Sequence, residues 1–122
     1  MPKQGRNRGQ ITAEGNGTPT VAVGAGWGAT GSAALTTGAN DVAGQVVVTA
    51  AGGTYAQATA TVTITFATSY AAAPRAVIVT CVNAVAIDTG HVSYAVTADA
   101  LVLTYKVLPA AGAYTFDYLC IA

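Results

Sequence analysis

The sequence predicts an all-β chain: an antiparallel β-sandwich or barrel with an extended N-terminal arm. Three observations carry this. Short runs rich in Val, Ile, Thr and Tyr recur roughly every ten residues. Gly, Pro, Asn and Asp punctuate them. No stretch shows a helical period with caps.

The elements follow in order. Residues 1–17, MPKQGRNRGQITAEGNG, have no periodicity and four glycines, so an extended arm is expected, with the β domain spanning 18–122. The Asn16-Gly17 pair marks a turn. TPTVAV, 18–23, is a short strand, and GAGWGATG, 24–31, a glycine-rich loop around the only tryptophan. GQVVVTA, 44–50, is a continuous β-branched run, suited to a strand buried on both faces, and AGGT, 51–54, breaks it. Residues 58–66 contain TATVTITF, which alternates threonine with an apolar residue; Thr59, Thr61, Thr63 and Thr65 line one face. That face is expected to meet solvent or a neighbouring subunit, since threonine offers a hydroxyl without a charge.

ATSYAAAPR, 67–75, connects, because Pro74 disfavours helix at the residue before it. AVIVTCV, 76–82, is a strand; NAVAIDTGH, 83–91, is a loop turned by Asp88 and Gly90. VSYAV, 92–96, and LVLTYKV, 101–107, are strands joined by the turn TADA. LPAAG, 108–112, turns again, and AYTFDYLCI, 113–121, ends with Tyr114, Phe116, Tyr118 and Cys120 on one face. Six or seven strands result.

The core is thin. Leu, Ile, Val and Phe make only 27 of 122 residues, and Ala and Val dominate the apolar content. Small side chains bury little area each. Burying further surface between subunits would offset this, so an oligomer is expected.

Charged residues are 8% of the chain and the net charge is zero. They are uneven. Lys3, Arg6 and Arg8 occupy the tip without an acid, while from Gly9 onward Arg75 and Lys106 face five acids, Glu14, Asp41, Asp88, Asp99 and Asp117. A basic tip suits an acidic protein surface, or it is a solvated tail; nucleic acid is not expected as a partner on so few charges. The N-terminus lacks the apolar stretch of a signal peptide, which predicts synthesis in a cytoplasm. No apolar run approaches the ~20 residues needed to cross a bilayer, so no membrane association is expected.

The chemical motifs are poor. GWGATG, Gly26 to Gly31, matches G-x-G-x-x-G, but the dinucleotide reading needs a helix after it, and the segment from Ser32 to Gly38 is too short. Trp27 is read as a core or subunit-interface residue, or as a ligand contact. His91 is the only histidine; Asp88 is three residues away, with no nucleophile motif beside it. Cys81 and Cys120 are 39 positions apart without a metal-binding spacing, and are read as buried thiols or as a disulfide between neighbouring strands. Asn16 to Thr18 form a glycosylation sequon that has no meaning without secretion. The carboxylates are isolated. No enzymatic activity, metal or cofactor is expected.

Several segments together are familiar. NDVAGQVVVTAAG precedes TATVTITFATSYAAAPRAVIVT, and PAAGAYTFDYLCI closes the chain. This succession resembles a small β domain of tailed-phage virions. The carriers are Asp41, Ala43 and Gly44, then Thr65, Phe66, Tyr70 and Pro74, then Ala111, Gly112, Tyr114, Phe116 and Tyr118. The match covers residues ~40–121 and not the first thirty. The resemblance implies an antiparallel sandwich or barrel assembled as a homotrimer, on a virion surface after synthesis in the host cytoplasm. Such domains serve as capsid modules or as receptor-binding heads of tail fibres. Tail-fibre heads usually end a longer chain, whereas here a short arm opens directly into the domain.

Two roles follow as expectations. The first is a capsid decoration (cement) protein, whose arm residues Lys3, Arg6 and Arg8 contact the major capsid protein or another virion protein. The second is a receptor-binding tip that holds a host-surface saccharide through Trp27, Tyr94, His91 and Asp117. A non-viral adhesion module is a third reading.

Overall fold

A computed structural model of the protein describes residues 17–82 and 92–122. The predicted arm, residues 1–16, and the predicted loop with Asp88 and His91 lie outside the described residues. Among the described residues the strands are β1 (Thr20–Val23), β2 (Ser32–Leu35), β3 (Ala43–Ala50), β4 (Thr61–Thr65), β5 (Ala76–Cys81), β6 (Val92–Val96), β7 (Ala100–Tyr105) and β8 (Gly112–Ile121). They form two antiparallel four-stranded sheets, ordered β1-β4-β7-β6 and β2-β3-β8-β5. The sheets stack as a sandwich and do not close into a barrel.

Alternation decides what each sheet buries. In β8, Tyr114, Phe116, Tyr118 and Cys120 point inward and are buried. In β4, Val62 and Ile64 do the same, with Leu101 and Leu103 of β7 beside them. Val46, Val48 and Ala50 of β3 complete the facing layer. The continuous apolar run in β3 was expected to be buried on both faces. It is not: Val47 is half-buried and Thr49 exposed on the outer side, because only one side of that sheet has a partner layer.

Two further differences from expectation are local. β4 begins at Thr61, because Gln57–Thr59 form a 3₁₀ turn, so Thr59 is not part of the threonine row. β2 occupies a stretch with no strong strand signal, SAAL; its register opposite Val46 to Thr49 is supplied by β3. Tertiary pairing there overrides weak local preference.

Aromatic rings fill the space that Ala and Val leave. Trp27 stacks on Tyr105 with ring centroids 5.5 Å apart and an interplanar angle of 23°. Tyr114 packs against both, 5.1 Å from each. The Tyr114 hydroxyl donates to the Ala110 carbonyl at 3.0 Å and accepts from the Ala110 amide at 2.9 Å, which ties down the turn before β8.

Candidate functional site

Of the four residues expected to touch a ligand, His91 lies outside the described residues, and the structure does not gather the other three. Trp27 has no exposed surface, which corrects its reading as a contact anchor. Tyr94 stands opposite Leu103, so it lies on the core-facing side of an edge strand, yet it is 46% exposed. Asp117 lies on the other sheet and points outward, between the buried Phe116 and Tyr118. The arm residues Lys3, Arg6 and Arg8 lie outside the described residues.

The glycine-rich loop has a packing function. Gly26 lies so close to the segment 56–60 that a Cβ there would stand 2.1 Å from the Ala56 carbonyl oxygen. Gly28 has φ +102°, and its Cβ would stand 2.0 Å from the Ala51 oxygen. These close approaches seat Trp27, whose indole Nε1 donates to the Thr61 carbonyl at 3.0 Å. A single 3₁₀ turn, Ala25–Trp27, leads on to strand β2, and no helix follows to hold a phosphate. An open concavity of about 540 Å³ lies over the loop. It is lined by glycines, Val23, Ala25, Ala29 and Thr54, so one hydroxyl is its only polar side-chain group.

Four residues of the phage-like pattern, Asp41, Gly44, Tyr70 and Tyr118, converge at one end of the sandwich, whereas Gly112 and Tyr114 lie toward the other end of β8. The Asp41 carboxylate is 2% exposed and accepts from the Ala67 amide at 2.7 Å and the Thr68 amide at 2.9 Å. The Tyr70 hydroxyl donates to the Asp41 carbonyl at 2.6 Å, and the Tyr118 hydroxyl to the Asn40 carbonyl at 2.7 Å. Asn40 Oδ1 accepts from the amides of Val42 and Ala43, forming an Asx turn. Gly44 completes the fit, since a Cβ there would stand 2.7 Å from the Tyr118 hydroxyl. Three chain segments are thus stapled together by groups far apart in sequence.

The chemistry of this end is that of a latch. Burial, reinforced by Asp41, pushes the Cys120 thiol up to about 11. That is the wrong direction for a nucleophile, which needs the thiolate. Burial first, then Cys120 and Asp41, also raises the Tyr118 and Tyr70 hydroxyls. Both cysteines are free. Cys81 stands opposite Phe116 and Cys120 opposite Val77, so the two thiols are four residues apart along the ladder, about 13 Å.

The broad surfaces are the two outer sheet faces. On the β1-β4-β7-β6 sheet, Thr61, Thr63 and Thr65 line up beside Thr20 and Ala22 of β1 and Ala100, Val102 and Thr104 of β7. This face is polar without charge. On the β2-β3-β8-β5 sheet, the outer face carries Ala43, Leu119 and Ile78 in one cross-strand row and Ile121 and Ala76 in the next. Ile78 is 50% exposed and Ile121 44%. Gln45 Nε2 donates to Asp117 Oδ1 at 2.9 Å on the same face. These outward apolar residues were not singled out from the sequence. The available signal was that AVIVTC is apolar at nearly every position, which places hydrophobes on both sides of an edge strand.

No family model matches the chain, and neither a curated protein nor a solved structure matches it.

Proposed function

We propose that this chain is a bacteriophage virion structural protein: a homotrimeric capsid decoration protein on the outer head surface, made in the host cytoplasm. The observation that carries the reading is the latch. Four members of the phage-like pattern, Asp41, Gly44, Tyr70 and Tyr118, meet there in one set of hydrogen bonds and close packing. Residues far apart in sequence that meet in one place act as one structural unit, which supports reading the pattern as a single feature of the fold. Its partners are other copies of itself and the major capsid protein or another virion protein. Its role is mechanical, to clamp neighbouring capsomers.

Decoration is favoured over a receptor-binding tip by the placement of the aromatics. Of the nine aromatic residues, Tyr94 alone is exposed; the others are buried or half-buried. A saccharide site needs aromatic faces beside carboxylates, and Tyr94 and Asp117 are on different sheets.

Deleting residues 1–10, which removes Lys3, Arg6 and Arg8, tests the proposal. Binding to capsids lacking the protein should weaken, most at low salt, while the soluble oligomer persists. Unchanged capsid binding would remove the arm from the contact. Adhesion of the soluble protein to host cells would favour the receptor reading.

A further inference from the structure

We draw no further inference here: the strongest candidate, the open concavity over the glycine-rich loop between β1 and β2, is lined by glycines and small apolar side chains with Thr54 as its one polar side chain, and nothing in the structure shows what covers it.

Discussion

The indole Nε1 of Trp27 donates to the backbone carbonyl of Thr61, which also accepts from the Gly24 amide at 2.9 Å. The glycine-rich loop is thereby bonded to the first residue of the threonine strand. Trp27→Phe removes the indole donor and part of the buried ring, and should cost about 1–3 kcal/mol; Trp27→Ala should cost about 3–5 kcal/mol. Chemical denaturation reads both. The single tryptophan should emit at short wavelength, resist quenching and ignore added saccharides.

Asp41 holds the 66–70 connector through two backbone amides. Asp41→Ala leaves both amides without their acceptor and should destabilise by about 1–3 kcal/mol. Asp41→Asn keeps one acceptor oxygen and should cost less. Equilibrium unfolding compares them, and equal costs would contradict the geometry.

Cys120 predicts a loss of stability at alkaline pH. Its thiol is raised from an ordinary 9.0 to about 11, so the unfolded chain loses this proton first. The stabilisation is complete below pH 9 and is lost as pH rises toward about 11. Tyr118, also raised, acts in the same direction. Denaturation midpoints across that window should fall, and Cys120→Ala should flatten the decline. In the native protein an alkylating reagent should modify half-buried Cys81 before buried Cys120.

Thr61→Val with Thr63→Val should leave stability within about 0.5 kcal/mol of the wild type, because both side chains lie on an outer face. Thermal unfolding checks this. A collapse of the fold would mean that the threonine hydroxyls are required by contacts within the chain.

Strand positions were legible where side-chain chemistry alternates. VSYAV was predicted and found at the same residues, and the inward set Tyr114, Phe116, Tyr118 and Cys120 was read from period alone. β2 was not legible, since SAAL has little β preference and takes its place from pairing with β3. Thr59 misled because alternation continues into a 3₁₀ turn. The latch was visible only as a spaced pattern; nothing local says that Asp41 reaches Ala67, 26 residues on. Trp27 was ambiguous because a tryptophan between glycines suits either a contact loop or a close-packed turn. The close approaches of Gly26 and Gly28 decide for the second.

The central claim is a structural role on the virion, and the most direct test is the copy number of this chain per purified particle, by quantitative mass spectrometry. Capsid decoration predicts hundreds of copies. A handful, in a multiple of three, would place the protein at a tail tip or fibre instead, and complete absence from the particle would contradict the account.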